Sequence, residues 1–339
     1  MGSLIGISLA SDIIIGLVAI AILVLSSDQA VKRLVGLADY FNLSATFMGM
    51  TVLSLATSIP ELSAHLTASV GILRGTLDYQ ISSSIVLGAN IGSDVVQQTL
   101  IMALVVFAAG GLYFRRYFLT KSMLPMIATT LMCIILGLDG VYSRLDGAIL
   151  VGSFIGYTYF LYRDERKYFK PEVAIDESRE GPQSGREALV YALIALGAMA
   201  LTILSAQVVL EVTELIVHAT GVGGSLIGVV TLGIASAMPE LMTAISGIRN
   251  KEQGVSLGTL IGSNITNPLL AIGGGALVST YWVPRPLVMW DLPWETITGA
   301  ILWAILWFRG GKLTKRWAFY LIFLYIFYIT FRILFFAID

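Results

Sequence analysis

Ten long apolar stretches constrain this chain more than any other feature. A helix needs about 20 apolar residues to cross the hydrocarbon core of a bilayer. Stretches near that length lie at residues 4–25, 44–73, 81–109, 118–137, 146–162, 188–210, 225–248, 254–280, 294–308 and 317–338. Charged residues make up only 13% of the chain, whereas soluble domains carry about 25%. The sequence therefore predicts an all-α integral membrane protein with ten transmembrane helices.

One polar segment divides the predicted spans into two groups of five. Residues 163–187 carry six basic and seven acidic side chains together with Pro171 and Pro182. This composition is typical of an exposed, flexible connector. We therefore expect a first five-helix repeat at 1–162, a connector at 163–187 and a second five-helix repeat at 188–339.

Lysine and arginine are distributed unevenly between the two sides of the predicted bundle. Loops that follow odd-numbered spans hold 17 of the 21 basic residues, and the other side, including both termini, holds four. Cytoplasmic loops carry the excess of basic residues in membrane proteins. We therefore expect a multi-pass protein of the cell membrane with both termini outside and the central loop in the cytoplasm.

Two motifs recur in the same order in both halves. The second span contains Ala-Thr-Ser-Ile-Pro-Glu at 56–61, and the seventh contains Ala-Ser-Ala-Met-Pro-Glu at 235–240. One span later, each half carries a Gly-x-Asn-Ile motif, around Asn90 and Asn264. Because each half has an odd number of spans, the two copies would cross the membrane in opposite directions, as in the inverted repeats of secondary transporters.

Each Pro-Glu pair places a carboxylate and a helix break at the same membrane depth. A charged side chain at the bilayer centre costs roughly 2.5–3.5 kcal/mol by insertion scales, so we expect Glu61 and Glu240 to bind something charged. Proline also removes a helical hydrogen bond. We expect the break to free the carbonyls of Ser54, Leu55, Gly233 and Ile234. For either motif alone, the alternative is a kinked helix whose glutamate pairs with a polar neighbour.

Oxygen ligands of this kind suit Ca²⁺, Na⁺ or Mg²⁺ rather than soft metals. Two glutamates can balance one divalent ion, two Na⁺ or two protons, which is a chemical basis for exchange. The chain has one cysteine, Cys133, and two histidines, which exclude an intrachain disulfide and a multi-histidine metal site. His65 follows Glu61 by one turn, and we interpret it as hydrogen-bonded packing.

These motifs resemble those of the Ca²⁺/cation antiporter superfamily, which includes the sodium/calcium exchangers. The resemblance is close over spans 2–3 and 7–8, and it implies a ten-helix fold with a central ion site built by both repeats. It also implies metal ligands at Glu61, Glu240, Thr57, Ser58, Ser236, Asn90, Ser93, Asp94, Ser263, Asn264 and Asn267.

The chain departs from the superfamily pattern at several positions. Ala237 replaces a hydroxyl residue on span 7, and Ala89 replaces a serine on span 3. Ser93 stands where an amide or carboxylate is usual, and Asp94 follows it. Asp94 either supplies the missing ligand after a small shift or serves another face of the helix, and we favour a role at the site. The number and identity of the bound ions stay open.

The sequence thus predicts an antiporter that exchanges Ca²⁺ for Na⁺ by alternating access, with a proton-coupled divalent cation exchanger as the alternative. The resemblance implies that spans 1 and 6 slide as a gate. We expect no prosthetic group, only transported Ca²⁺ and Na⁺ or H⁺. The expected partner is the lipid bilayer and not nucleic acid, and the oligomeric state stays open. An intramembrane enzyme is disfavoured because the chain has no His-Glu-x-x-His motif; a channel is a third option.

Overall fold

A computed structural model describes residues 9–40, 54–168, 181–249 and 253–339 as a bundle of long helices. Up to residue 168 the elements are α1 (Leu9–Tyr40), α2 (Ser54–Thr57), α3 (Ile59–Arg74), α4 (Tyr79–Val96), α5 (Met102–Ala109), β1 (Leu112–Tyr113), α6 (Arg116–Phe118), α7 (Leu124–Gly137), β2 (Val141–Tyr142) and α8 (Arg144–Tyr168). From residue 185 they are α9 (Gly185–Thr220), α10 (Gly224–Val230), α11 (Leu232–Ser236), α12 (Met238–Arg249), α13 (Gln253–Thr266), α14 (Gly273–Ser279), β3 (Tyr281–Trp282), α15 (Leu292–Phe308), β4 (Lys312–Leu313) and α16 (Lys315–Phe335).

Short π-helical turns join several of these helices without breaking the helical path. They cover Gln97–Ile101, Leu119–Met123, Asn267–Ile272 and Leu287–Asp291. Such turns insert an extra residue into a helix and are frequent at functional sites. Two of them directly follow the helices that carry the Gly-x-Asn-Ile motifs.

Seven helical segments among the described residues are long and apolar enough to cross a membrane. They are Ala10–Leu34, Tyr79–Ala109, Arg116–Gly137, Arg144–Arg163, Gly185–Thr220, Gly224–Arg249 and Lys315–Phe335. This confirms the prediction of a helical, multi-pass membrane protein. The predicted spans 254–280 and 294–308 are largely helical but carry buried polar residues such as Asn264 and Glu295. The predicted span 44–73 lies partly outside the described residues.

The two ends of the predicted connector at 163–187 belong to the long helices on either side of it. Helix α8 continues to Tyr168 and α9 begins at Gly185, so both ends of the predicted 163–187 segment are helical. The Ser184 hydroxyl caps α9 by accepting a hydrogen bond from the Glu187 amide at 3.3 Å. Glu, Arg and Lys are good helix formers, and this explains why the charged ends of the segment extend the helices. Residues 169–180 lie outside the described part of the chain.

The two longest helices, α1 and α9, pack against each other. They have 32 and 36 residues, and the Ser26 and Thr202 hydroxyls lie 2.8 Å apart between them. Their outer faces expose Leu17, Leu25 and Leu193, as expected for helices that face lipid tails.

Two small antiparallel strand pairs join distant parts of the chain. Strand β1 pairs with β4 through Leu112 and Leu313, and β2 pairs with β3 through Val141 and Trp282. Each pair joins a connection from the first part of the chain to one from the last part. The strands therefore fix the ends of the surrounding helices relative to one another.

Helices α4 and α10 approach closely because glycine lines their contact. A Cβ atom at Gly88 would clash with the Ser225 backbone, and one at Gly92 would lie 2.7 Å from the Val229 Cα. Small residues spaced four apart allow this approach between membrane helices.

A buried ion pair holds the last helix against the start of α15. The Arg332 Nε lies 2.9 Å from an Asp291 oxygen, and both side chains are fully buried. The Tyr328 hydroxyl donates to Asp291 at 2.6 Å, and Arg332 also donates to the Ser225 hydroxyl. Arg332, one of the four basic residues that the count places on the outer side, lies in the last turn of α16 and is neutralised by Asp291.

We expect Asp291→Asn to destabilise the protein by about 3–5 kcal/mol, because it leaves the Arg332 charge buried without a partner. The measurement is the free energy of unfolding in detergent. Asp28→Asn is the matched control, since Asp28 pairs with Lys32 at 2.7 Å near the surface and such pairs contribute at most about 1 kcal/mol. Equal losses in the two variants would contradict this interpretation.

Candidate cation site

Both Pro-Glu motifs interrupt a helix immediately before the glutamate. The break between α2 and α3 falls at Ser58, and the break between α11 and α12 falls at Ala237. Glu61 and Glu240 lie in the first turns of the helices that follow, and both are buried. The start of a helix favours negative charge because its N–H groups point toward it. The fold therefore places each carboxylate at a favourable helix terminus inside the bundle.

The expected release of the Ser54 carbonyl is wrong. The Ser58 amide donates to this carbonyl at 3.1 Å, and the Thr57 hydroxyl donates to it at 3.3 Å. A helical N–H bonds the carbonyl four residues earlier, so the proline at 60 leaves Ala56 without its donor, rather than Ser54. In the second motif, the Ser236 hydroxyl donates to the Gly233 carbonyl at 3.4 Å.

Each glutamate lies beside hydroxyls that come from both halves of the chain. The Ser93 hydroxyl donates to Glu61 Oε1 at 2.8 Å, and the Ser236 hydroxyl lies beside the same carboxylate. The Thr57 and Ser263 hydroxyls lie beside the Glu240 carboxylate and are 3.2 Å from each other.

The asparagines close the same polar region. Asn90 donates to the Asn267 carbonyl at 3.3 Å, and Asn267 donates to Asp94 Oδ1 at 2.9 Å. His65 lies 3.3 Å from Asn90 and 3.0 Å from the Tyr281 hydroxyl. His65 is therefore hydrogen-bonded inside the bundle, as the sequence suggested.

All eleven residues that the sequence proposed as ligands are buried. This set comprises Glu61, Glu240, Thr57, Ser58, Ser236, Asn90, Ser93, Asp94, Ser263, Asn264 and Asn267. Asn264 lies at one side of the region, where it donates to Gln97 Oε1 at 3.0 Å and accepts from Gln98 at 2.9 Å. The structure thus brings together candidate residues from α2, α3, α4, α11, α12, α13 and the π-helical turn that begins at Asn267.

Sequence reasoning missed two contributors. Gln98 lies in the π-helical turn after α4, and Glu295 lies in the first turn of α15. The Gln98 amide donates to Glu295 Oε1 at 3.2 Å. The available signals were the polar residues Asn90, Ser93, Asp94, Gln97 and Gln98 along span 3, which need polar partners, and the acidic start of span 9.

The polar atoms without partners in this region are oxygens. Within the described residues, no hydrogen bond reaches either oxygen of Glu240, the second oxygen of Glu61, Asn90 Oδ1 or the Ser58 hydroxyl. Buried polar groups normally have a partner, and oxygens that lack one are suited to a cation. Among the described residues, no three acidic, histidine or cysteine side chains converge closely enough to hold a metal ion by themselves. A cation here would therefore share carboxylate, hydroxyl and amide oxygens.

Comparison with known proteins places the chain in a family. Residues 11–163 and 190–334 match the family described as sodium/calcium exchanger protein. The chain belongs to the sodium/calcium exchanger family. Among curated relatives, the inner membrane protein YrbG of Escherichia coli (strain K12) is 26% identical over 271 residues, covering 78% of this chain and 78% of YrbG.

Two solved exchanger structures share the fold of this family member. The sodium-calcium exchanger NCX_Mj superposes with a TM-score of 0.61 at 22% identity, covering 94% of this chain and 96% of that one. The H⁺/Ca²⁺ exchanger CAX superposes with a TM-score of 0.76 at 16% identity, covering 95% of this chain and 82% of that one. The helical exchanger fold is therefore established.

A Gly-x-Ser-x-Gly string at 254–258 in this exchanger-family chain does not form a nucleophile elbow. Such an elbow places its serine on a sharp turn from a strand to a helix. Here Ser256 is buried within α13 and donates to the Ala244 carbonyl at 2.6 Å.

The Ser54 and Thr266 hydroxyls, 2.8 Å apart, provide a test of how the two halves meet. We expect a double-mutant cycle with Ser54→Ala and Thr266→Val to give a coupling of about 0.6 kcal/mol, and at most about 1.7 kcal/mol, as for other hydroxyl contacts between membrane helices. The measurement is the free energy of unfolding in detergent. Ser54→Ala combined with Thr202→Val should be additive, because Thr202 lies against Ser26 instead. A coupling of zero in the first cycle would show that α2 and α13 do not meet here.

Proposed function

We propose that this protein exchanges Ca²⁺ for Na⁺ across the cell membrane by alternating access. One observation carries the proposal: two buried glutamates at helix breaks lie beside hydroxyls from both halves, and the atoms left without partners are oxygens. Such a region is stable when a cation occupies it. Family membership supports transport of this kind.

The residues match the chemistry of such a cargo. Ca²⁺ takes about 6–8 oxygen ligands, and Glu61, Glu240 and the neighbouring hydroxyls and amides would supply them. One Ca²⁺ neutralises both glutamates, and so do two Na⁺. Ca²⁺ and Na⁺ therefore compete for the same pair of carboxylates.

The proposed architecture has ten transmembrane helices in two inverted repeats, at 1–162 and 188–339, joined by the connector at 163–187. The strand pairs support it, because exchanging the two halves converts the β1–β4 pair into the β3–β2 pair. The glutamate contacts support it as well, since Glu61 beside Ser236 mirrors Glu240 beside Thr57. The proposed orientation keeps both termini outside and the connector in the cytoplasm.

Alternating access would move α1 and α9 relative to the remaining helices. These two helices pack against each other and share the hydroxyl contact between Ser26 and Thr202. The strand pairs lie among the other helices. We propose that α1 and α9 slide as a unit and expose the site to one side at a time.

A proton-coupled cation exchanger is the second candidate. The observation in its favour is Ala237, which is fully buried at the second helix break and offers no hydroxyl. Fewer hydroxyl ligands weaken a Na⁺ site but leave both glutamates able to accept protons.

We expect Glu61→Gln and Glu240→Gln each to reduce Ca²⁺ exchange in proteoliposomes to the rate of protein-free liposomes. Each change removes one of the two charges that compensate the ion. Glu187→Gln serves as the control, because Glu187 is exposed at the start of α9, and it should transport at the wild-type rate. Full transport by either buried variant would contradict the shared site.

We also expect an outward-directed Na⁺ gradient to drive Ca²⁺ uptake into wild-type proteoliposomes at constant pH. The physical reason is that two Na⁺ can replace one Ca²⁺ at the same carboxylates. The measurement is radiolabelled calcium uptake with a Na⁺ gradient, with a pH gradient, or with neither. Uptake driven only by the pH gradient would decide for the proton-coupled candidate.

A further inference from the structure

Several polar residues of span 3 have no polar counterpart in the other half. When the halves are aligned on Asn90 and Asn264, Asp94 corresponds to Pro268 and Gln98 corresponds to Ile272. The helical exchanger fold therefore accommodates apolar side chains at these positions. Asp94 and Gln98 are therefore polar features of the first half alone.

Glu295 likewise has no polar counterpart in the other half of the chain. Helices α7 and α15 both begin with Leu-Pro, and each follows a five-residue π-helical turn. Aligned on the Leu-Pro pairs, Glu295 corresponds to Ile127, and Gly299 corresponds to Leu131.

The unmatched residues lie together. Gln98 donates to Glu295 Oε1 at 3.2 Å and to Asn264 Oδ1 at 2.9 Å. Asp94 precedes Gln98 by four residues on the same helical path, so the two side chains are neighbours on one side of it. Asp94 also accepts from Asn267 at 2.9 Å. The non-repeated polar residues therefore form one cluster, bounded by α4, α13 and α15.

This cluster presents oxygens without partners. Within the described residues, no hydrogen bond reaches Asp94 Oδ2, Gln98 Oε1, Asn267 Oδ1 or Glu295 Oε2, and all four side chains are at least 98% buried. The Gln98 amide group uses both of its hydrogens on Asn264 and Glu295, so its carbonyl oxygen is the atom left over. Gly299 adds room there, since a Cβ atom at that position would lie 3.2 Å from Gln98 Oε1.

The neighbouring acid shows how this fold neutralises a permanent buried charge. Asp291, one turn before Glu295, binds Arg332 and Tyr328. Neither Glu295 nor Asp94 forms an ion pair with a basic side chain within the described residues. Buried carboxylates without a base are stable when a proton or a bound cation neutralises them, and the oxygens without partners favour a cation here.

We propose that Asp94, Gln98, Asn267 and Glu295 form a second site for a hard cation, Ca²⁺ or Na⁺, beside the Glu61–Glu240 pair. The proposal rests on the proposed function only in taking the cargo to be a cation. Two carboxylates and two amide oxygens suit either ion. Because Glu295 belongs to a ninth-span helix outside the repeated motifs, this site occurs once in the molecule and not twice.

The test is equilibrium dialysis of the purified full-length protein in detergent against radiolabelled Ca²⁺ alone and, separately, radiolabelled Na⁺ alone. We expect Glu295→Gln to lower the bound stoichiometry by one ion in at least one arm. Glu240→Gln should remove a different ion and leave the ion at the second site bound. Glu187→Gln, which removes an exposed charge, should bind as the wild type does. Wild-type stoichiometry and affinity for both ions in Glu295→Gln would overturn the proposal.

A second variant tests the same site in case Glu295→Gln does not fold. Gly299→Ala raises helix propensity but places a methyl group beside Gln98 Oε1. We expect at least a several-fold weaker affinity for the same ion, and unchanged affinity would overturn the proposal. Proteoliposome exchange by the wild type separates the two hypotheses. If Glu295→Gln loses an ion but wild-type proteoliposomes show no exchange, the proposed function is refuted and the second site stands. If wild-type proteoliposomes exchange ions but Glu295→Gln binds ions as the wild type does, the second site is refuted and the proposed function stands.

Discussion

The centre of this protein is organised around buried carboxylates that have no basic partner. Glu61 and Glu240 lie at the starts of helices whose preceding turns are broken by the Pro-Glu motifs. The helix termini and the hydroxyls of Thr57, Ser93 and Ser236 lower the cost of burying them but do not cancel their charge. Burial of an uncompensated charge is expensive. The arrangement therefore makes sense as one state of a cycle in which a cation supplies the missing charge.

The chain contains two kinds of buried acid, and the difference separates stability from transport. Asp291 has a permanent partner in Arg332, and this pair joins α15 to α16. Glu61, Asp94, Glu240 and Glu295 have hydroxyl or amide neighbours instead. A permanent base would hold such an acid in one charge state, whereas a mobile cation can leave. Acids of the second kind suit a site that must be filled and emptied.

Much of the site could be predicted from sequence because its main parts are short local motifs. The Pro-Glu pairs and the Gly-x-Asn-Ile motifs identified side chains that the fold buries together. The prediction failed where the outcome depends on tertiary packing. Glu295 was missed because its partner Gln98 comes from a helix nearly 200 residues away in sequence. The pairing of Arg332 with Asp291 was missed for the same reason, because it joins residues that are 41 positions apart in sequence.

The strand pairs have a consequence for how such a protein could have arisen. Each β-strand of the first half pairs with a strand of the second half, and the glutamates likewise lie beside hydroxyls of the opposite half. Under the proposed repeat, one half alone would leave two strand edges and one carboxylate without their complements. Two identical copies inserted in opposite orientations would satisfy all of them. The proposed repeat is therefore consistent with an origin in two antiparallel copies of a half-length chain, whereas Glu295 is a residue that only one half carries.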